Sequence, residues 1–399
     1  MPPQSKRPRV VIYFGDTGGG HRAAAEAVAE ALHEQYGTRL STQLVDFFSK
    51  AGVRALSQAP SLYPRMVRAG VYGASYRATD RRSTARVITG SLWPYLRQIA
   101  RRMVRAHPAD LVVATYPLFN AALLRAMGRS RPPFYIVVTD FATIHALWFD
   151  KRADRIFVPA EAARQRGIEL GMQAERLRVV GLPVKRGYSK PSESREALRR
   201  RLGWPMHKPV VLLVGGGEGM GPVASIAQSI DLCGLDIAQA IVTGRNKRLQ
   251  AKLKQTSWEN PTFIYGFTSQ MPEMMHAADV LLTKAGGATI AEALNAHVPM
   301  ILYSRIPGQE EGNVSYVVDA GAGVYAPDET LVIRALTRWI ARPHERERAV
   351  ANARKVARPE AAALIAAAIG RGLHLSARPA RASQREQTRP QRARRVPAG

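Results

Sequence analysis

Four groups of residues in this chain could do chemistry. The first is His21, which follows Gly18, Gly19 and Gly20 and opens a helical pattern. A histidine at a helix amino terminus feels a positive potential, which lowers its pKa and keeps the imidazole neutral, as a general base requires. The second is Gly216-Gly217-Glu218-Gly219-Met220-Gly221-Pro222, directly after the strand-like run Val210–Val214. Strand, glycine turn and helix in that order build an anion cradle, because glycines let backbone amides approach a phosphate. The third is Lys284-Ala285-Gly286-Gly287-Ala288-Thr289, with Glu292 in the following helical turns. A carboxylate there can accept both hydroxyls of a ribose, or can simply oppose a helix dipole. The fourth is the polar loop Pro307-Gly308-Gln309-Glu310-Glu311-Gly312-Asn313. Gln309 and Glu310 could bond sugar hydroxyls and Asn313 could reach a phosphate; an ordinary solvated helix cap is the alternative. The turn at 216–221 is neither a Walker loop nor a dinucleotide fingerprint in register, so on its own it is equally a tight structural helix entry.

The elements that must hold these residues are short β-rich runs alternating with helical patterns. Strands are expected at Val10–Phe14, Leu40–Val45, Asp110–Thr115, Phe134–Thr139 and Arg155–Pro159, then at Pro209–Val214, Ile237–Thr243, Pro261–Tyr265, Val280–Thr283 and Pro299–Leu302. Helices fit Ala23–Tyr36, Leu118–Met127, Ser225–Leu232, Lys247–Gln255, Thr289–Ala296 and Val314–Ala320. Such alternation implies parallel sheets covered on both faces. A length of 399 residues suits two domains. The boundary is expected at Gly181-Leu182-Pro183, giving domains 1–183 and 184–370 and an arginine-rich disordered tail, 371–399. In open parallel sheets, ligands bind beyond the carboxyl ends of the strands. Two such sheets facing each other would place the site in the cleft between them.

Composition narrows the function. Apolar residues make up 46% of the chain, enough for a substantial core, and the net charge is +27. No apolar run is long enough to span a bilayer. Val10–Phe14 is too short for a signal-peptide core, so a location on the cytoplasmic face, peripheral to the membrane, is expected. Cys233 is the single cysteine, which excludes an internal disulfide and a cysteine–zinc cluster. A basic stretch holds Arg65, Arg68, Arg77, Arg81, Arg82, Arg86, Arg97, Arg101, Arg102 and Arg105 against Asp80 alone, interleaved with Tyr63, Tyr72, Tyr76, Trp93 and Tyr95. From Trp93, with Pro94 at its first position, a helix would separate apolar from basic faces and dock on anionic lipid. No nucleic-acid module accompanies the charge, so no specific nucleic-acid partner is expected.

Taken together, the motifs resemble those of the monogalactosyldiacylglycerol synthases and processive diacylglycerol glucosyltransferases of glycosyltransferase family 28. They are Asp16–Ala23, Thr139-Asp140-Phe141 with Trp148-Phe149, Gly181-Leu182-Pro183-Val184, Gly216–Pro222, Lys284–Ala293 and Gly308–Asn313, in that order. The resemblance runs from about Val10 to Trp339 and implies an α/β GT-B fold, two Rossmann-like domains facing across a cleft. It implies an inverting enzyme that moves a hexose, galactose ahead of glucose, from a UDP-sugar to 1,2-diacylglycerol. His21 would be the catalytic base. Donor contacts would come from Gly217, Gly219, Met220, Gly221, Arg245, Phe267, Thr268, Lys284, Gly287, Thr289, Glu292, Gln309, Glu310 and Asn313. Acceptor and membrane contacts would come from Gly19, Gly20, Tyr116, Trp148, Arg81, Arg82, Trp93, Arg97 and Arg101. No metal or other cofactor is expected, consistent with the lack of any Asp-x-Asp. Tyr116-Pro117 stands where many members have His-Pro, and Pro307 replaces a commonly small residue. The alternatives are a UDP-N-acetylglucosamine transferase acting on a polyprenyl-linked acceptor, whose acceptor-side turn reads differently from Asp16–His21, and a UDP-sugar epimerase on the same double fold.

Overall fold

A computed structural model describes residues 7–16, 19–50, 66–67 and 70–376. Thr17, Gly18, Tyr63, Arg65, Arg68 and the tail from residue 377 lie outside the described residues. Two six-stranded, wholly parallel sheets carry the fold. The first contains β1 (Arg9–Phe14), β2 (Ser41–Asp46), β3 (Leu111–Ala114), β4 (Phe134–Val137), β5 (Arg155–Val158) and β6 (Leu177–Val179) in the order β2-β1-β3-β4-β5-β6. The second contains β7 (Val210–Val214), β8 (Ala238–Val242), β9 (Thr262–Tyr265), β10 (Val280–Lys284), β11 (Met300–Ser304) and β12 (Gly323–Tyr325) in the order β12-β11-β10-β7-β8-β9. The central strands are runs of valine, isoleucine and leucine with almost no exposure, because helices cover both faces. Each sheet has apolar clusters on both sides. Sequence reasoning missed β6 and β12. Both are three-residue edge strands, too short for a periodic pattern.

Eight helices matter for the site: α1 (Gly20–Tyr36), α2 (Val71–Thr79), α3 (Arg82–Ala106), α4 (Pro117–Met127), α5 (Val223–Asp231), α6 (Gly287–Ala296), α7 (Glu311–Asp319) and α8 (Ala361–Gly372). Each sheet reverses its strand order once. In the first the reversal lies between β1 and β3, which flank each other. In the second it lies between β7 and β10. At such a point the loops leave in opposite directions and open a crevice. The loops after β1, β3, β7 and β10 begin at Gly15, Thr115, Gly215 and Ala285, and three of the four chemical groups singled out in the sequence stand on them.

Two expectations change. Helix α3 does not begin at Pro94; it starts twelve residues earlier in the chain, and Pro94 lies inside it. Its apolar face, with Leu96, Ile99, Ala100 and Met103 buried in the core of the first sheet, holds the helix through the proline despite the lost backbone donor. The second concerns the end of the 184–370 unit. Helix α8 packs on α1, and its Ala362, Ile365, Ala366 and Ile369 join the apolar cluster of the first sheet. The chain crosses back beside Gly181, where a Cβ would stand 2.4 Å from that of Arg358. Residues 371–376, taken with the tail, finish this helix and turn against the same sheet.

Candidate active site

His21 is the second residue of α1, whose N-cap is Gly19 at φ 88°, a left-handed conformation that favours glycine. The ring is fixed from one side. Its Nδ1 lies 2.9 Å from the Thr115 carbonyl and 2.6 Å from Thr139 Oγ1. A carbonyl only accepts, so Nδ1 carries the hydrogen and the lone pair belongs to Nε2. Tyr116 meets the ring edge-on with centroids 4.6 Å apart. Burial pulls the imidazole below its ordinary pKa, while Asp140, the Thr115 carbonyl and Asp16 pull less strongly the other way. Desolvation is thus the main cause, where the sequence pointed to the helix end. Either way the imidazole is neutral at physiological pH.

Two spaces meet at this histidine. On one side is a polar pocket lined by Gly20, Asp140, Gly216, Gly217, Glu218, Met220, Lys284, Gly287, Thr289 and Gln309. It continues into a cavity of about 520 Å³ bounded by Arg245, Phe267, Thr268, Tyr188, Thr289 and Glu292. On the other side is an apolar chamber, also about 520 Å³, walled by Phe48, Tyr72, Tyr76, Ile88, Leu92, Leu96, Tyr116, Leu118, Phe119 and Leu147. His21, Asp140 and Gln309 border both the polar pocket and the apolar chamber. The amino termini of α1 and α6 converge here. A Cβ on Gly20 would lie 3.4 Å from that of Ala288, and neither helix has a side-chain cap or an acidic residue in its first turn. Two uncapped positive dipole ends pointing into one polar space favour an anion.

Several side chains are held for this arrangement. Asp140 Oδ2 accepts from Tyr76 Oη at 3.0 Å and from Trp148 Nε1 at 2.9 Å. Arg245 pairs with Glu218 at 2.8 Å and lies over the Phe267 ring, 4.6 Å from its centroid. Glu292 borders the larger polar cavity, and burial raises its carboxyl to about 7 against the hydrogen bond from Tyr188 and the charge of Lys185. Gln309 Oε1 is buried without a hydrogen-bond partner. A buried amide oxygen left open at a pocket wall marks a place for a donor from outside.

Residues 21–184 match the family Monogalactosyldiacylglycerol (MGDG) synthase, and residues 210–366 match the Glycosyltransferase family 28 C-terminal domain. The probable monogalactosyldiacylglycerol synthase, chloroplastic, of Nicotiana tabacum is 34% identical over 367 residues, covering 88% of this chain and 68% of that protein. Monogalactosyldiacylglycerol synthase 1, chloroplastic, of Arabidopsis thaliana is 35% identical over 378 residues, covering 90% and 70%. This chain belongs to the monogalactosyldiacylglycerol synthase family. Among solved structures, UDP-GlcNAc 2-epimerase from Neisseria meningitidis bound to UDP-GlcNAc superposes with a TM-score of 0.58 at 14% identity, covering 91% of this chain and all of that one (100%). At that identity the likeness speaks for the fold, which is GT-B as the sequence implied. Membership makes the chain a UDP-sugar-dependent glycosyltransferase.

Within this family member, some expected contacts fall elsewhere. Neither Gly219 nor Gly221 lines the cleft pockets, and the Gly219 N–H donates within the loop to the Gly216 carbonyl at 3.1 Å. A Cβ on Gly219 would meet the Thr243 carbonyl at 2.1 Å, and one on Gly221 would meet Tyr303 at 3.1 Å. These glycines fold the loop on itself, and Gly216, Gly217 and Met220 are the part that lines the pocket. Asn313 borders the pocket, but both ends of its amide are used: Oδ1 accepts from the Ala142 N–H at 2.9 Å, and Nδ2 donates to the Ala285 carbonyl at 2.8 Å. It stitches the halves together instead of reaching a phosphate. Lys284 donates to Glu310 at 2.5 Å, and Glu310 also accepts from the Ile306 N–H at 2.8 Å. Both line the polar pocket as expected, paired with each other there. Thr268 stands at the cavity edge, where its Oγ1 accepts from the Gln270 N–H.

Trp148 is fully buried behind the apolar chamber, holding Asp140, and so is not an acceptor wall. Trp93 packs against the first core with Arg125 over its ring at 5.5 Å. Exposed apolar residues of α3 are instead Val87, Leu92 and Tyr95, beside exposed Arg97 and Arg101. Arg81 is exposed and Arg82 half-buried at the start of that helix. Sequence reasoning quoted Thr139 and Asp140 within a motif but gave them no role, and it named Thr115 only as a strand end and Tyr76 only as an aromatic of the basic stretch. A polar pair directly after an apolar strand was the available signal for Thr139 and Asp140. Tyr76 gave none, because its partner is 64 residues away.

Proposed function

We propose that this protein transfers galactose from UDP-galactose to the free hydroxyl of 1,2-diacylglycerol, with inversion, at a membrane surface on its cytoplasmic side. The observation that carries this reading is the position of His21 in the wall between a polar, anion-favouring pocket and an apolar chamber. A lipid alcohol in the chamber presents its hydroxyl to Nε2. Nε2 takes the proton, the oxygen attacks the anomeric carbon, and the bond to UDP breaks on the opposite face. The α-linked donor becomes a β-glycoside. The charge left on the diphosphate faces the amino-terminal amides of α1 and α6 and the backbone of Gly216–Gly217, fixed donors that need no rearrangement as charge develops. Arg245 closes the same cavity. No metal is assigned a step.

Support for the donor side comes from Glu292, whose carboxylate borders the larger cavity where a ribose would lie, and from the open Gln309 oxygen next to His21. Support for membrane docking comes from Val87, Leu92 and Tyr95, exposed among arginines on a helix that also walls the chamber. The test is product analysis. Purified protein is incubated with diacylglycerol and, separately, UDP-galactose, UDP-glucose or UDP-N-acetylglucosamine. A β-galactosyldiacylglycerol is expected. Transfer only from another donor, or release of an epimerised nucleotide sugar, would replace this reading.

A further inference from the structure

Helix α2 forms one wall of the apolar chamber through Tyr72, Ser75, Tyr76 and Thr79. The same helix touches the loop after β11, in the other half of the molecule, at Gly73. A Cβ there would stand 2.4 Å from the Pro307 carbonyl oxygen, and one on Gly308 would stand 2.9 Å from the Gly73 carbonyl oxygen. The two backbones meet with no side chain between them. Glycine inside a helix costs about 1 kcal/mol relative to alanine, and this crossing accounts for its presence. Gly308 has φ +81° and is itself confined to glycine. Arg77, one turn further along α2, reaches Glu311 at 3.6 Å across the same seam.

The residue after Gly308 is Gln309, which borders both the polar pocket and the apolar chamber and has the open Oε1. Its backbone is therefore anchored, one residue away, to the wall of the other chamber. A direct backbone contact has no soft side chain to absorb a displacement, so a shift of α2 is passed to Pro307, Gly308 and Gln309.

We propose that α2 couples the two chambers. A diacylglycerol acceptor filling the apolar chamber sets loop 306–310 and raises affinity for the hexose end of the donor, with Gly73 as a positioning residue. The inference rests on the functional reading above, in which the chambers hold acceptor and donor. Coupling of binding is reciprocal, so the donor's sugar strengthens acceptor binding by the same factor. The cavity beyond, bounded by Arg245, Phe267 and Glu292, is not lined by this loop. UDP without a sugar is outside the coupling.

The experiment uses His21→Ala protein, in which turnover is slowed enough for both ligands to be present during a titration. UDP-galactose and UDP are titrated separately, with and without dioctanoylglycerol in neutral detergent. Dioctanoylglycerol is expected to tighten UDP-galactose about tenfold, within the usual range for coupled sites, and to leave UDP within about twofold. Adding Gly73→Ala abolishes the tightening and leaves UDP affinity in place. Gly308→Ala does the same from the loop side, and it replaces Gly73→Ala if circular dichroism shows the helix variant unfolded. The inference is overturned if dioctanoylglycerol leaves UDP-galactose affinity unchanged, or if the glycine variants keep the tightening. Failure of the functional reading looks different: the unsubstituted protein would then make no galactolipid from these two compounds.

Discussion

The two halves share a plan and differ in what they hang on it. Both are six-stranded parallel sheets with one reversal of strand order, and both place glycine turns at that reversal. Around the reversal in the first half the chain sets aromatic rings: Phe48, Tyr116 and Phe119 contact one another beside His21. Around the reversal in the second half it sets backbone and charge, in Gly216, Gly217, Lys284, Gly287 and Glu310. One scaffold thus yields an apolar chamber and a polar one. The fold supplies the position, and the loop residues decide which solvent each chamber imitates.

The sharpest way to break this comparison is at the wall between the halves. His21→Ala should lower kcat about 10³-fold, within the range for a positioned general base, with UDP affinity unchanged by calorimetry. Because burial depresses this imidazole, wild-type kcat should be flat from pH 7 upward and fall only below pH 6.5. A profile that keeps rising through pH 7 would assign the proton transfer elsewhere. Next in size is the apolar side alone. Leu118→Trp should fill the chamber and lower kcat/KM for diacylglycerol by more than about tenfold, at an overpacking cost of about 1–3 kcal/mol. Equal loss in UDP binding would show that the chambers are not separate.

A smaller, two-signed effect is expected at Glu292. Its carboxyl is raised to about 7, well above the ordinary glutamate value of 4.5. Between those two values the folded protein holds the proton while the unfolded chain has lost it, so apo stability falls as pH rises through that window. A tenfold weaker acid in the folded state corresponds to roughly 1.4 kcal/mol. Glu292→Gln should raise the apo Tm at pH 8. It should also weaken UDP binding and remove its loss below pH 7, which calorimetry at several pH values would reveal. Smallest is the surface. Arg97→Gln with Arg101→Gln should weaken flotation with anionic vesicles by about 1 kcal/mol per arginine removed, and added salt should erase the difference. Equal binding to neutral and anionic vesicles would remove these arginines from docking.

Much of this was legible because parallel sheets announce themselves. Runs such as Val210–Val214 and Val280–Leu282 are apolar without alternation, and the turn after each holds glycine. His21, Gly217, Gly287, Glu292 and Gln309 were found that way, since each lies a few residues past a strand. What a local pattern cannot carry is which way a loop residue faces. Gly217 and Gly219 sit two apart in one turn, yet one lines the pocket and the other packs on Thr243. Asn313 was legible as a polar loop residue, but its partners Ala142 and Ala285 come from distant segments. The arginine-rich stretch was legible as basic. Its apolar contact points were misread because Trp93 finds Arg125 and the core, whereas Val87 and Tyr95 stay exposed.

The return of α8 to the first sheet has a practical consequence for anyone cutting this protein in two. Ile365 and Ile369 seal a face that α1 and β1 cannot close by themselves. A fragment stopping at residue 184 would leave that face bare and should precipitate on expression. The second half alone would carry an unpartnered greasy helix. Despite two separate sheets, the first half is complete only with the last helix, and any exchange of halves among relatives must carry residues 361–372 along with the first.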